Sequence, residues 1–233
     1  AGVVIPPWNF PLAIFVGMTT AALVAGNTVV LKPSSDTPTI AAKFAEVLLE
    51  AGFPERSFSL CVGSGSAIGD LLVTHPKTRF VSFTGSKEVG LRINELAAKV
   101  QPGQIWIKRV VAEMGGKDAI IVDDEADIDS AVEGVTVSAF GYQGQKCSAC
   151  SRAIVSEKIH NEFVEKLKAR VARISVGPAD NPGNYMGPVI NDGARQSILK
   201  YIGIGKQEGT LLCGGDAADG DGYFLQPTVF TGI

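Results

Sequence analysis

Short apolar runs alternate with amphipathic stretches along the first half of the chain. The runs "NTVVLKP", "FSLCVG", "RFVSFTG" and "IWIKRVVAE" predict strands, and the intervening stretches "TPTIAAKFAEVLLEAGFP", "SAIGDLLVTH" and "SKEVGLRINELAAKV" predict helices. Pro38 stands near the start of the first predicted helix and Gly52 at its C′ position. Strand and helix in strict turn indicate βαβ units and a parallel sheet, so we predict a doubly wound, Rossmann-like domain.

The alternation restarts after "EMGGKDAIIVDDEADI". We predict the strand "AIIVD", a helix from about Asp127 to Tyr142, the strand "RAIVS" and the helix "KIHNEFVEKLKARVARI". The remaining part is rich in Gly, Pro and Asp and frames one more helix. The predicted class is therefore α/β, with a domain boundary near Glu113 to Gly116, so that residues 1–113 form one domain and residues 114–233 belong to a second α/β domain.

Composition narrows the class of partner. The chain has 233 residues, is 45% hydrophobic and carries a formal charge of −3, so it can bury a large core but lacks the basic surface that nucleic acids or anionic membranes require. A small molecule is the expected partner. Four scattered cysteines do not form the framework of a small secreted domain, and they favour a reducing compartment. The apolar N-terminal stretch lacks a basic region and contains Pro6, Pro7 and Pro11, which argues against a signal peptide or membrane span.

Several motifs are consistent with either a ligand-binding role or an ordinary structural role. In "CVGSGSAIG", Gly69 comes one residue too late for G-x-G-x-x-G, so its glycines indicate a cofactor approach or an ordinary turn. In "FTGSKEVG", Gly85 and Ser86 open a helix whose N-terminus could bind phosphate, although Ser86 could equally be a simple N-cap. Lys32 ends a strand where a nucleotide ribose or phosphate would lie, and a surface lysine is the alternative.

Metal and histidine chemistry have little support. The acidic run "DDEADIDS" lacks the spacing and the glycine of a calcium loop, so we interpret it as a turn in which Asp127 or Asp129 caps a helix. His75 and His160 are the only histidines, and neither has a partner motif. We therefore predict no metal site and assign any general-base role to a carboxylate.

Cys147 and Cys150 form a C-x-x-C pair after a Gly-rich turn. A structural zinc site would need further ligands, and a thioredoxin-like pair would follow the first strand of its domain. A single nucleophile at Cys147 is chemically reasonable, because positive charge such as that of Lys146 and backbone N–H groups stabilise a thiolate.

Five motifs, "PWNFP", "LKP", "FTGS", "EMGGK" and "GQKC", resemble the aldehyde dehydrogenase superfamily in order and approximate spacing, and the resemblance continues through "MGPVI" and "GYFLQPTVF". It implies an NAD(P)-dependent enzyme that converts an aldehyde to a carboxylic acid. When the family's residue roles are transferred to the matching motifs of this chain, the resemblance implies that Cys147 is the nucleophile and Glu113 the general base. The oxyanion is held by the Asn9 side chain and the backbone N–H of Cys147. Residues 1–113 would bind the cofactor, and residues 114–233 would belong to the catalytic domain.

The resemblance also implies cofactor-binding positions: Trp8, Lys32, Ser35, Gly65, Gly85, Ser86, Val89, Gly90 and Met114. Many NAD-preferring members have a glutamate three residues after the lysine, where it repels the 2′-phosphate of NADP. This chain has Ser35 there. We therefore expect NAD as the main cofactor, with NADP tolerated.

The stretches "GQKCSACSR" and "AEMGGKDAIIVD" resemble the branch that oxidises L-glutamate γ-semialdehyde, the open form of 1-pyrroline-5-carboxylate, to glutamate in proline catabolism. In that branch a serine after the nucleophile binds the substrate's α-carboxylate, which points to Ser148, with an ordinary small turn residue as the alternative. Cys150 is then a packing residue. The other hypotheses are a different semialdehyde or an aliphatic aldehyde as substrate, a non-catalytic relative, and a thiol oxidoreductase.

The resemblance further suggests that the chain is an internal fragment of a longer protein. The parent is expected to be an active homo-oligomer, and the isolated piece to be weak or inactive, because the dimerisation hairpin and other family motifs lie outside these residues. The expected location is the cytoplasm, or the mitochondrial matrix in a eukaryote.

Overall fold

A parallel sheet organises the first half of the structure, a computed structural model that describes residues 1–233. The chain divides into two compact units, Ala1–Gly115 and Gly116–Ile233. The first unit contains the strands β1 (Gly2–Ile5), β2 (Val29–Leu31), β3 (Phe58–Leu60), β4 (Phe80–Gly85) and β5 (Arg109–Met114). Their spatial order is β3-β2-β1-β4-β5, and every pairing is parallel. This confirms the predicted doubly wound fold.

Helices cover both faces of this sheet: α1 (Ala13–Val24), α2 (Pro38–Glu50), α3 (Asp70–Thr74) and α4 (Lys87–Ala98). Successive residues of β1 face opposite sides. Val4 packs with Phe15 of α1 and Phe44 of α2, whose rings meet edge to face at 5.4 Å between centroids. Val3 packs instead with residues of α3 and α4, including Val73 and Ile93. Both faces of β1 are therefore buried, which explains its unbroken apolar sequence.

Local signals located the ends of α2, whereas the bounds of several other elements differ from the prediction. The helix α2 begins at Pro38, and Gly52, with φ +85°, terminates it as expected. The N-terminal apolar stretch forms β1 and α1, for which the sequence analysis had no prediction. No helix of the chain is long and apolar enough to cross a bilayer.

The fourth predicted strand starts later than "IWIK" suggested. Phe80, the first residue of β4, pairs with Arg109, so the preceding residues 105–108 have no strand partner in β4. Trp106 instead stacks near the Arg79 guanidinium and donates from Nε1 to the Thr78 carbonyl. Lys108 is buried, and its Nζ donates to the carbonyls of Val73 and Thr74 at the end of α3. Burial lowers the pKa of this ammonium group.

The second unit has two small two-stranded sheets in place of one five-stranded sheet. It contains β6 (Asp118–Val122), α5 (Ile128–Phe140), β7 (Cys150–Val155), α6 (His160–Val171), α7 (Asp192–Glu208), β8 (Thr210–Cys213) and β9 (Val229–Thr231). The strands β6 and β7 are parallel, whereas β8 and β9 form an antiparallel pair that was not predicted. Asp127 caps α5 as expected, accepting from the Ser130 N–H at 2.7 Å.

The two faces of the β6–β7 sheet differ in burial. Val122 lies in the core with residues of α5 and α6, including Val135 and Phe163. On the opposite face Ile121 pairs with Ile154, and these side chains are 76% and 52% exposed. This face is therefore an apolar surface that the chain itself does not cover.

Candidate functional site

The predicted cofactor residues of the first unit follow the carboxyl ends of its parallel strands. In such a sheet all carboxyl ends lie at one edge, and ligands bind there, where the strand order reverses. Here the reversal falls between β1 and β4. The residues at or just after the strand ends include Trp8 and Asn9 after β1, Lys32 and Ser35 after β2, Gly65 after β3, Ser86 after β4, and Glu113 and Met114 at the end of β5. The fold thus gathers at one edge most of the cofactor residues that the sequence predicted.

Lys32 is a buried cation at this edge. Its side chain is 4% exposed, and Nζ donates to the Pro33 carbonyl at 3.2 Å. Burial lowers the pKa of the ammonium group. The alternative reading of an ordinary surface lysine is therefore wrong. An ammonium group has three N–H donors, so Lys32 retains donor capacity for a polar ligand.

Asn9 and Glu113 belong to the same edge. The Asn9 Oδ1 atom accepts from the Phe10 N–H at 3.1 Å, which directs the oxygen end of the amide to the backbone. Glu113 is exposed, and its register partner in β4 is Thr84. In the sheet, β4 separates β1 from β5. Glu113 therefore lies at the end of β5, and Asn9 follows β1, two places away in the sheet.

At the start of α4, Ser86 and the nearby glycines make contacts within the chain itself. The Ser86 Oγ atom accepts from the Val89 N–H at 3.3 Å and so caps the helix, as one of its two readings predicted. A Cβ on Gly90 would lie 2.7 Å from the Met114 sulfur, and one on Gly85 would lie 2.5 Å from the Phe83 ring. Both glycines therefore have a packing reason. Their role in cofactor binding, like that of Val89 and Met114, stays a prediction.

Gly65 differs from these glycines. It is exposed at the start of a π-helical turn, Gly65–Gly69, that leads into α3. A Cβ built on Gly65 would meet no atom within 4 Å. Packing within the chain therefore does not require this glycine, and its role in cofactor binding stays a prediction.

In the second unit, Cys147 lies in a turn after α5, which we name the nucleophile turn, Gly141–Ser148. Cys147 and Ser148 are exposed and form the middle of a β-turn closed by the bond from the Ala149 N–H to the Lys146 carbonyl, at 3.2 Å. The thiol and the predicted substrate serine are therefore both accessible. The Lys146 Nζ atom lies 3.5 Å from the point that a Cβ on Gly141 would occupy.

The backbone of the nucleophile turn is strained. The predicted helix was expected to reach Tyr142, but α5 ends at Phe140. Tyr142 and Gln143 have φ values of 57° and 56°, in the left-handed region, and Gly144 follows at 67°. Each non-glycine residue in this region costs about 1–2 kcal/mol. A Cβ on Gly144 would lie 2.7 Å from the Ala139 carbonyl oxygen, so only glycine fits at that position.

The motifs "EMGGK" and "GQKC" meet in the second unit. A Cβ on Gly116 would lie 3.0 Å from Asp118 Oδ2 and 3.2 Å from the Cys147 carbonyl oxygen, so a side chain at the second glycine of the first motif would crowd both atoms. The strand β6 then pairs with β7, with a bulge where Asp118 lies opposite Cys150 and Ala119 opposite Arg152. The nucleophile turn is thereby held beside the segment that follows Glu113 in sequence.

Cys150 and Cys147 lie in different environments. It is buried in the core of the second unit, and its Sγ atom donates to the Arg152 carbonyl at 3.4 Å. All four cysteines are free thiols. These observations agree with the predicted packing role of Cys150. No group of three or more His, Cys, Asp or Glu side chains has an arrangement that could hold a metal ion.

Two glutamines of the nucleophile turn were given no role by the sequence analysis. The Gln145 Oε1 atom accepts from the Ile190 N–H at 3.1 Å. The Gln143 amide, oriented so that both of its ends are satisfied, donates to the Tyr142 carbonyl at 3.2 Å and accepts from the Gly187 N–H at 2.8 Å. The sequence signal was the pair of glutamines on either side of Gly144, a few residues before the predicted nucleophile Cys147.

The sequence matches the profile of the aldehyde dehydrogenase family over residues 1–233. It is 57% identical over 232 residues to the 1-pyrroline-5-carboxylate dehydrogenase of Geobacillus thermodenitrificans, covering 100% of this chain and 45% of the relative. Identity to the enzyme of that name from Bacillus subtilis is 55%, with the same coverage. The chain therefore spans less than half the length of these relatives.

Solved structures show the same fold. A 1-pyrroline-5-carboxylate dehydrogenase from Thermus with bound NAD superposes with a TM-score of 0.95 at 51% identity, over 98% of this chain and 44% of that one. Proline utilization A from Bdellovibrio bacteriovorus gives a TM-score of 0.95 at 47% identity, over 98% of this chain and 24% of that one. Together with the family match along its whole length, these likenesses show that the chain belongs to the aldehyde dehydrogenase family.

Proposed function

We propose that the complete protein carrying this chain oxidises L-glutamate γ-semialdehyde, the open form of 1-pyrroline-5-carboxylate, to L-glutamate with NAD. The observation that carries this proposal is the 57% identity, along the full length of the chain, to a relative named 1-pyrroline-5-carboxylate dehydrogenase. The exposed Cys147 followed by the exposed Ser148 supports it, because the chemistry needs an accessible thiol and a nearby group for the substrate's carboxylate.

The proposal gives the two parts of the chain different tasks. Residues 1–113 bind the cofactor, and residues 114–233 contribute to the catalytic domain. The reversal of strand order in the five-stranded sheet supports the first assignment, because doubly wound sheets bind nucleotides at the carboxyl ends of their strands beside such a reversal. The strained turn that carries Cys147 supports the second, because strain of this kind is concentrated at functional sites.

The residues at the sheet edge fit a dinucleotide. Lys32 is a buried cation with N–H donors to spare, and the start of α4 favours negative charge. We propose that Trp8 and Lys32 line the ribose sites and that Gly85 and Ser86 approach the pyrophosphate. Further contacts come from Ser35, Gly65, Val89, Gly90 and Met114.

The proposed reaction has two stages. The Cys147 thiolate adds to the aldehyde carbon, a C–S bond forms, and the resulting oxyanion accepts hydrogen bonds from the Asn9 side-chain amide and the Cys147 backbone N–H. When bound, NAD supplies the hydride acceptor that converts this thiohemiacetal to a thioester. Glu113 takes a proton from the water that attacks the thioester, the C–S bond breaks, and the acid leaves as the thiolate is restored.

The substrate assignment is tested with a panel of aldehydes. We expect the complete protein to have a kcat/KM for L-glutamate γ-semialdehyde at least about tenfold above that for succinic semialdehyde or an aliphatic aldehyde, because Ser148 binds the α-carboxylate only of the first. Formation of NADH, followed by absorbance, measures each rate. A preference for an aldehyde without an α-amino acid group would replace our assignment with the alternative, another semialdehyde or an aliphatic aldehyde.

Cofactor selectivity gives a second prediction. Ser35 is exposed and neutral, so nothing at this position repels a 2′-phosphate, and we expect turnover with NADP as well as NAD. The change Ser35→Glu should lower kcat/KM for NADP by about tenfold or more through charge repulsion, while that for NAD changes little. The matched control Thr39→Glu adds the same charge to an exposed position on α2. An equal effect of both variants on the two cofactors would contradict this role of Ser35.

We further propose a homo-oligomer in the cytoplasm, with a small-molecule aldehyde as substrate and neither nucleic acid nor membrane as partner. The four free thiols support a reducing compartment. The formal charge of −3 supports the absence of polyanionic partners.

A further inference from the structure

We infer that Gln145 is a positioning residue that holds the nucleophile in place through the Ile190 backbone, with Gln143 as a second attachment. The inference rests on the proposed function in that it takes Cys147 as the reacting thiol. We name the segment to which both glutamines bind the anchor segment, Met186–Ile190.

The first observation is that the nucleophile turn needs external support. Two consecutive non-glycine residues, Tyr142 and Gln143, hold left-handed conformations that their side chains disfavour. Within the turn itself, the Gln145 N–H donates to the Tyr142 carbonyl at 3.0 Å. A strained backbone persists only where the surrounding structure over-determines it, so contacts from other segments must maintain this one.

The second observation is that the glutamines supply those contacts. The Gln145 Oε1 atom accepts from the Ile190 N–H, 45 residues away in sequence, at 3.1 Å. Gln143 accepts from the Gly187 N–H at 2.8 Å. Two side chains on either side of Gly144 therefore tie the same turn to the same segment at two points.

The third observation is that the anchor segment is itself firmly held. Met186 and Val189 are buried, at 6% and 5% exposure. The Val189 N–H donates to the Tyr223 carbonyl at 3.0 Å. Ile190 directly precedes Asn191, whose side chain caps α7 by accepting from the Ala194 N–H at 2.9 Å. The bond from Ile190 thus connects the nucleophile turn to the start of the longest helix of the chain, α7.

The consequence concerns the reacting atoms. Gln145 lies two residues before Cys147, whose thiolate attacks the aldehyde and whose backbone N–H is a proposed oxyanion donor. If the turn relaxes, both groups move together, and small displacements of this kind strongly lower the rate of the chemical step. Substrate and cofactor binding depend on other residues, so kcat should fall while KM changes little.

Side-chain chemistry suggests matched variants. Ile190 offers an N–H donor, so the partner must be an acceptor that reaches as far as Gln145. Gln145→Glu keeps the acceptor at the same reach, whereas Gln145→Asn is one methylene shorter and Gln145→Leu has no acceptor. Gln196 is exposed on α7 and lies outside the proposed site, so Gln196→Leu is the control for the loss of a glutamine.

The experiment compares these variants of the complete protein in three measurements: kcat and KM for aldehyde oxidation, the melting temperature, and amide hydrogen exchange at Ile190. We expect Gln145→Leu and Gln145→Asn to lower kcat by about 10- to 100-fold with KM within about threefold of wild type. Gln145→Glu should recover most of kcat, and Gln196→Leu should match wild type. Exchange at Ile190 should accelerate about tenfold or more in the Leu and Asn variants alone.

Several outcomes would overturn the inference. One is a folded Gln145→Asn variant with wild-type kcat, and another is a Gln145→Glu variant as slow as the Asn variant. If Gln145→Leu does not fold, the comparison of Asn with Glu decides. A wild-type protein that oxidises no aldehyde would refute the proposed function. Amide exchange at Ile190 would still test the hydrogen bond from Ile190 to Gln145. Unchanged protection of Ile190 in Gln145→Asn would show that the glutamine does not hold this segment.

Discussion

Replacing Cys147 by alanine should abolish aldehyde oxidation by the complete protein, lowering kcat by a factor of about 10⁴ or more, because no other group can form the thioester. The change removes an exposed side chain, so the fold and its melting temperature should be retained. The measurement is NADH formation at saturating aldehyde and NAD. In wild type, alkylation of the exposed Cys147 thiol by iodoacetamide should inactivate the enzyme.

The matched control is Cys150→Ala. Cys150 is buried in the core of the second unit, so this variant should lose some stability through a small cavity but should keep aldehyde oxidation within a few-fold of wild type. The pair of variants also separates two classes of enzyme. If Cys150→Ala were as inactive as Cys147→Ala while still folded, a redox-active pair would explain the chemistry better than a single nucleophile.

Replacing Glu113 by glutamine should block the second stage of the reaction while leaving the first intact. Without the carboxylate, no base takes the proton from the hydrolytic water, so the thioester accumulates and steady-state kcat falls by about 10²- to 10⁴-fold. Rapid mixing should still show a burst of NADH equal to the concentration of active sites. The acylated protein should be detectable by mass spectrometry as a covalent adduct at Cys147.

Glu50→Gln provides the control for this prediction. Glu50 is exposed in the last turn of α2 and lies outside the proposed site, so the same loss of charge should leave kcat unchanged. The burst distinguishes the proposed base from a residue that merely supports the fold. A Glu113→Gln variant that shows neither burst nor adduct would assign Glu113 to the first stage instead.

The α/β architecture of the first unit follows from local sequence patterns. Alternating apolar runs and amphipathic stretches predicted β2 to β5 and the helices between them, because each run buries its side chains against the neighbouring helices. Pro38 and Gly52 marked the ends of α2, because their effects on φ act within a single turn of chain. A helix cap at Asp127 or Asp129 was predicted for the same reason, and Asp127 is the residue that caps α5.

Other elements depended on contacts that no local pattern contains. The strand β1 is buried on both faces, so its sequence has no period that separates strand from helix. The start of β5 is set by its register with Phe80, and the side chain of Lys108 turns away to the end of α3. These features are set by partners about 30 residues away in sequence.

The candidate site likewise has some features that the sequence predicts and others that only the tertiary structure shows. The sequence by itself predicted a nucleophile, a carboxylate base and an oxyanion-binding amide, because the motifs that resemble the family carry these residue types in the same order. It could not predict that Lys32 is buried or that Tyr142 and Gln143 are left-handed. It also could not predict the hydrogen bond from the Ile190 N–H to the Gln145 side chain. Residue type and helix capping are local, so the sequence alone can predict them. Burial and backbone strain are determined by the whole surrounding structure, so only the tertiary structure reveals them.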